Sequence, residues 1–353
     1  MVVAFVASGC SKSADKDESV VAPVPAVSAK PAEKVADIAT LRADLDRLDN
    51  AGDHPRALVV ATELVAALRA KNETSDASWT ETLETYGRLL YTTGSWNESE
   101  APILEGLETI AGKTSPAHRA SLLFELGTIY SAQRRNEEAL PLLEESLELS
   151  EKAHGPDAYA TSNSVESLAA VYDYVGRFTD AEPLFRRSLV LAEQHHGAKS
   201  HQVGRVLTNL ALNLSYQDRA SEALAMYKRA LPLLADTHGY ERSALAEAHG
   251  GIASIELDRG KLPQAEAAYR KALAIRTEAL GPDHPLIAMD LHNLSITLEE
   301  QNKLPAALEA CSRSEEIRKQ ALAPDHPHRL GTEATCERLR TALARPLRKA
   351  AKR

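Results

Sequence analysis

Aromatic side chains are scarce in this chain: Phe, Tyr and Trp together supply 5% of its 353 residues. That disfavours a sheet-rich fold built on aromatic and β-branched pairs and leaves an interior of Ala and Leu, the strongest helix formers, as the expectation. Cysteine occurs three times, at 10, 311 and 336, with no C-x-x-C pair of the kind that holds zinc. No apolar run approaches the roughly 20 residues that span a bilayer. Positive charge is outweighed, 41 Lys and Arg against 50 Asp and Glu, which is the wrong sign for the basic face that nucleic acid requires. HExxH, GxSxG and phosphate-cradling glycine loops are missing too, so no catalytic residue, cofactor or metal site is assigned and no enzyme is expected. With 44% apolar and 26% charged residues, the chain nevertheless has ample material for a core.

What the sequence has is repetition, at an offset of 42. Stepping by it from Ala139 gives Ala181, Ala223, Ala265 and Ala307; from Leu126 it gives Leu168, Leu210, Ile252 and Leu294, with the small residues Gly127, Ala169, Ala211, Ala253 and Ser295 beside them. Upstream, Gly52 and Gly94 keep the spacing, and two residues are missing before the next equivalent, Arg134. Within one unit the apolar residues follow i, i+3, i+4, i+7 twice over, as in Val203, Val206, Leu207, Leu210 and then Ala223, Leu224, Tyr227, Leu231. Breakers such as Gly155-Pro156-Asp157 and Gly281-Pro282-Asp283-His284-Pro285 separate the units, with Gly placed to end one helix and Pro to open the next. Each unit is therefore expected to be a helical hairpin.

The motifs GPDHP at 281–285, LTNLA at 207–211, YDYVG at 172–176 and AEAAYRKAL at 265–273 resemble tetratricopeptide repeats of the 42-residue, kinesin-light-chain-like subclass. The resemblance implies an all-α fold, a right-handed α-solenoid of about seven helical hairpins over residues 33–326, and a C-terminal cap helix with a basic tail over 327–353. It also implies a protein or peptide partner lying against the first helix of each hairpin. In this subclass the asparagine of LxNLA holds the bound backbone, an amide being able to donate and accept at once. By position that residue is Asn209 and again Asn293, with Asn163 and Arg205 one turn earlier in their repeats. Glu125, Ser167 and Gly251 occupy the same register, so the amide ladder is interrupted.

The first ten residues end in Ala7-Ser8-Gly9-Cys10, similar to the cleavage box of a bacterial lipoprotein signal, although the apolar stretch is short and lacks a basic start. Lipidation of Cys10 is the expectation, with an in-frame basic and apolar extension upstream of Met1. Residues 11–32, rich in Ser, Ala, Pro, Val and Lys, would be a disordered tether. The place implied is the periplasmic face of the outer membrane in a Gram-negative cell; the alternative is a cytoplasmic adaptor without lipid. His154, His196 and His238 recur at the repeat interval in separate turns, too far apart for one ion. Cys311 and Cys336 fall on either side of a turn near Pro324, and two buried thiols or a disulfide are both open. Ser314 and Glu315 replace the Ala and Leu found one repeat earlier, as suits an atypical terminal unit.

Overall fold

The computed structural model describes residues 37–111, 116–238 and 242–350, with side chains as far as 344. All the regular structure among them is helical. The chain is an α-solenoid of helical hairpins, falling into two compact units that meet in sequence at Gly176 and Arg177. The N-terminal unit has the hairpins α1 (Ile38–Asn50) with α2 (His54–Ala70), α3 (Ala77–Thr92) with α4 (Glu100–Thr109), and α5 (Pro116–Ala132) with α6 (Asn136–His154), then α7 (Tyr159–Tyr174). The C-terminal unit begins with α8 (Phe178–His196). It continues through α9 (His201–Tyr216) with α10 (Ala220–Leu234), α11 (Arg242–Asp258) with α12 (Leu262–Leu280), and α13 (Pro285–Glu300) with α14 (Leu304–Ala321), and ends in α15 (Pro327–Ala350).

The turn inside each repeat explains the glycine register. Gly52, Gly94, Arg134, Gly176, Asp218, Gly260 and Asn302 all have positive φ, between 58° and 95°. A residue in this left-handed conformation ends a helix by letting the next amide reach back five residues to a carbonyl the helix leaves free. That bond is present from Asp53 N to Leu48 O, Ser95 N to Leu90 O, Arg135 N to Tyr130 O, Arg219 N to Leu214 O, Lys261 N to Glu256 O and Lys303 N to Leu298 O. Geometry thus keeps a period that residue identity has partly lost, since Arg134 stands where glycine is favoured.

The alanine register marks the tightest packing. Ala57, Ala139, Ala181, Ala223, Ala265 and Ala307 are all fully buried, and Ser99 takes the same place in the second repeat, its hydroxyl turned onto Trp96 O at 2.8 Å. At Gly127 a β-carbon would lie 2.7 Å from Leu143 Cγ, so the first and second helices of that hairpin approach too closely for any side chain. Around these contacts stand fully buried leucines and aromatics such as Leu122, Phe185, Leu207, Tyr227 and Tyr269. Each contributes about 1.5–3 kcal/mol through removal from water.

Polar clasps recur at every second repeat boundary within the units. Glu100 accepts from Arg135 at 2.7 Å, Glu182 from Arg219 at 2.5 Å, and Glu266 from Lys303 at 2.7 Å. Gln133, Gln217 and Gln301, two residues before the cation in each case, donate to the backbone carbonyls of Trp96, Phe178 and Leu262. In the intervening register the acid is replaced by Leu224.

The last repeat and α15 answer two questions left by the sequence. Ser314 is fully buried and donates to Ala288 O at 2.6 Å. Glu315, buried, takes Lys319 from its own helix and Arg340 from α15, each at 2.6 Å. Its partner arrives from the cap helix, which removes the cost of a lone buried charge. Of the two arrangements open to the cysteines, the structure has the bridge: Cys311 on α14 and Cys336 on α15 form a disulfide with Cα atoms 5.6 Å apart, inside a core that includes Leu298, Ala307 and Leu339. Arg338 adds a two-pronged bond to Glu299. Two of the basic residues of the C-terminal segment are thus engaged in ion pairs; the side chains of Arg345 and beyond lie outside the described residues, as do Cys10 and the proposed tether.

Candidate partner-binding surface

First helices of successive hairpins abut one another, α3 with α5 and α5 with α7 in one unit, α9 with α11 and α11 with α13 in the other. Their shared layer carries the polar positions expected to meet a partner. Asn163 lies exposed on α7 in the N-terminal unit. Arg205 and Asn209 lie one turn apart on α9, and Asn293 on α13, all half-buried in the C-terminal unit. Arg205 sits in a crowded setting whose desolvation pulls its guanidinium below the usual range. Between Asn209 and Asn293 comes α11, where the register holds Gly251.

The two units differ in what this layer presents. In the N-terminal unit Glu84 on α3 accepts from the Ser121 hydroxyl on α5 and has His118 Nε2 at 3.5 Å. Glu125, one turn after Ser121, is pushed up to about 7 by burial first and by repulsion from Glu84 second. Arg88, the nearest cation, is committed to Asp49 at 2.5 Å.

In the C-terminal unit a charge cluster lies beneath the layer. Arg276 on α12 and Asp290 on α13 are buried, 2% and 1% exposed, and paired at 2.5 Å. Burial outweighs the attraction of Arg276 and raises the Asp290 carboxyl, whose second oxygen, Oδ2, has no hydrogen-bond partner. Glu247 on α11 is 8% exposed and pushed up to about 7 by burial, opposed only by Arg276. His292 on α13 is driven down to about 4, by burial first and by Arg318 next. Its Nδ1 lies 3.3 Å from Thr332 Oγ1, which also receives Arg318.

Sequence reasoning passed over Arg276 and Asp290. A signal for them exists. The register of Arg276 reads Ser150, Ala192, Leu234, Arg276, Arg318, and that of Asp290 reads Ser164, Val206, Ala248, Asp290, Thr332. Both turn charged or strongly polar together at core positions, 14 residues apart, and Arg276 with Asp290 and Arg318 with Thr332 are the bonded pairs.

The tetratricopeptide repeat family model matches residues 118–194, 166–236 and 244–330, more than half of the chain. The chain belongs to the tetratricopeptide repeat family. No curated protein matches it. Among solved structures, the apo form of the quorum sensor NprR from B. thuringiensis superposes with a TM-score of 0.64 at 16% identity, covering 87% of this chain and 82% of that one. A tetratricopeptide repeat protein from Parabacteroides merdae gives 0.55 at 14%, covering 86% and 98%. BtubC (BKLC) from P. vanneervenii gives 0.50 at 18%, covering 68% and 89%. At these identities the likeness is one of fold. The hairpins α1 with α2 and α3 with α4 lie outside the matched residues, yet they keep the same turn geometry at Gly52 and Gly94.

His154 and His196 end α6 and α8, and His238 follows α10, each in its own inter-repeat turn. Among the described residues no three His, Cys, Asp or Glu converge as metal ligands would, and no helix is long and apolar enough to cross a membrane.

Proposed function

We propose that this protein is an interaction scaffold that holds a peptide or protein along the layer of first helices, tethered to the bacterial cell envelope by a lipid on Cys10. The observation that carries the scaffold reading is the contrast within each repeat. Second-helix and turn positions repeat faithfully, as Ala139 to Ala307 do, whereas the first-helix positions 205, 209, 247, 251 and 293 vary in charge and size on one continuous layer. Side chains conserved in register make the fold; those free to vary on an accessible layer give a partner its address. A quorum sensor of the same fold that has an apo form is consistent with ligand capture on such an array.

Replacing Asn209→Ala together with Asn293→Ala tests the surface. The expected result is loss of the partner that co-purifies with the tagged wild-type chain, at an unchanged helical circular dichroism signal; equal recovery of that partner rejects the assignment.

The envelope reading is supported by the Ala7-Ser8-Gly9-Cys10 box and by the Cys311–Cys336 bridge, since structural disulfides persist in oxidising compartments. Metabolic labelling with a clickable fatty acid should mark the wild-type protein and spare Cys10→Ala. An unlabelled wild-type protein leaves the cytoplasmic adaptor as the reading.

A further inference from the structure

The clasp that closes alternate repeat boundaries has a fixed register. Counted from the left-handed turn residue, the acid stands six residues on, as Glu100, Glu182 and Glu266. In the following repeat the amide stands just before the turn residue, as Gln133, Gln217 and Gln301, and the cation just after it, as Arg135, Arg219 and Lys303. Each amide donates to the carbonyl two residues past the preceding turn, that of Trp96, Phe178 or Leu262, at 3.0, 3.4 and 3.2 Å. Between the first two hairpins, around the turns at Gly52 and Gly94, the same places hold Leu58 for the acid, Thr93 for the amide and Ser95 for the cation, and the carbonyl is that of His54. Every later repeat keeps a long cation after its turn, Arg135, Arg177, Arg219, Lys261 and Lys303 in order; here a serine replaces it.

An open groove of about 460 Å³ lies at this place, and Leu58, Thr93, Ser95 and His54 all line it, together with Pro55 and Thr92. Its volume falls within the range of small-ligand sites. The groove is the clasp site without the clasp's side chains. No carboxylate lines it, and Asp53, beside His54 in the chain, is taken up by the amide and guanidinium of Arg56. A cation would shed water there with no opposite charge to meet it. The Thr92 and Thr93 hydroxyls donate to Leu89 O at 3.1 and 2.8 Å, which leaves their oxygens able to accept. The lining therefore suits an uncharged donor on an apolar stem that can pack on Leu58 and Pro55. We propose that this groove binds a carboxamide side chain, glutamine or asparagine, from a peptide partner. The amide takes the place that Gln133, Gln217 and Gln301 fill at the clasped boundaries, donating to the His54 carbonyl. Residues 1–36 and 345–353 contain neither Asn nor Gln, so neither segment supplies the occupant. The site shares no residue with the Asn163, Arg205, Asn209 and Asn293 positions and gives the N-terminal unit a contact of its own.

The test uses the full-length chain with 13C-labelled Leu and Thr methyl groups, titrated with butyramide. The controls are N,N-dimethylbutyramide, which has no N–H donor, and n-butylammonium, a cation. The reporters are the Thr92 and Leu58 methyl resonances, identified as those lost in Thr92→Ser and Leu58→Ile. Expected is a saturable shift of both with butyramide, and a response about tenfold weaker with either control, the scale of one lost hydrogen bond or one uncompensated charge. Leu58→Glu, Thr93→Gln and Ser95→Arg together rebuild the clasp inside the groove and should abolish the Thr92 shift at an unchanged or higher thermal midpoint. Should that triple variant lose its fold, Thr93→Gln alone should weaken the shift by about tenfold, since its own amide competes for the His54 carbonyl. No saturable shift, an equal shift with either control, or an undiminished shift in a folded clasp variant overturns the proposal. Asn209 and Asn293 take no part in the readout, so failure of the groove and failure of the first-helix surface are separable.

Discussion

The N-terminal and C-terminal units are built from the same hairpin and end their first helices in the same left-handed turn, yet their first-helix layers are electrostatically unlike. Around α3 and α5, acids face acids: Glu84 and Glu125 share the layer while Arg88 is drawn off to Asp49. Around α11 to α13, a buried guanidinium holds one carboxylate and leaves a second without a partner. The difference shows how a repeat array separates stability from recognition. The alanine, leucine and turn registers are fixed because two helices must approach to contact distance in every unit. The layer above them carries no such constraint, and each repeat is free to place a different charge there.

The comparison breaks most visibly at the buried pair. Arg276→Met should cost about 3–5 kcal/mol, because it strands the Asp290 carboxylate in the core, and Asp290→Leu added to it should restore much of that loss. Segment-resolved hydrogen exchange checks that protection falls in α11 to α13 and holds in α3 and α5. A loss spread evenly over both units would erase the distinction drawn between them.

How far this was legible in the sequence depends on what each residue answers to. Periodicity was enough for the hairpins and the position of the turns, because those features repeat and each copy corroborates the others. Single-copy features were harder. Glu315 looked like a terminal irregularity, and its explanation, Arg340, lies 25 residues away on a helix outside the repeat pattern. Arg276 and Asp290 each read as a lone departure from an apolar register; only setting the two registers side by side, 14 residues apart, shows that they change together. The cysteines illustrate the limit. Their spacing about a turn permits a bridge, but the separation of α14 and α15 is a property of packing.

The acidic carboxyls sharpen the comparison through pH. Glu247 and Glu125 both titrate near 7 in the folded chain and near 4.5 when unfolded, so between those values the native state binds more protons. Stability should therefore fall as pH rises from about 4.5 to about 7, by at most on the order of 3 kcal/mol for each group. Glu125, partly open to solvent, should contribute less than Glu247. Denaturation midpoints measured across that range should flatten in Glu247→Gln and Glu125→Gln; an unchanged slope in both would mean that neither carboxyl holds its proton.

Smaller effects divide the glycines and the turns. Gly250→Ala should stabilise the C-terminal unit by about 0.5–1 kcal/mol, the ordinary gain of alanine over glycine in a helix, while Gly251→Ala should destabilise it by forcing the Tyr227 ring aside. Opposite signs at adjacent positions, read from thermal midpoints, distinguish room for a methyl group at Gly250 from a packed contact at Gly251. In the N-terminal unit Arg134→Gly should gain up to about 1 kcal/mol by relieving positive φ at an exposed turn.

The claim that the first helices face the partner is tested most directly by site-specific photo-crosslinking in the source cell. A benzophenone side chain at Ser254, exposed on α11 one turn after Gly251, is compared with one at Val190, 52% exposed on the second-type helix α8. The account predicts a discrete crosslinked partner from Ser254, competed away by excess unlabelled chain, and none from Val190. The same partner captured from Val190 and absent from Ser254 would contradict it.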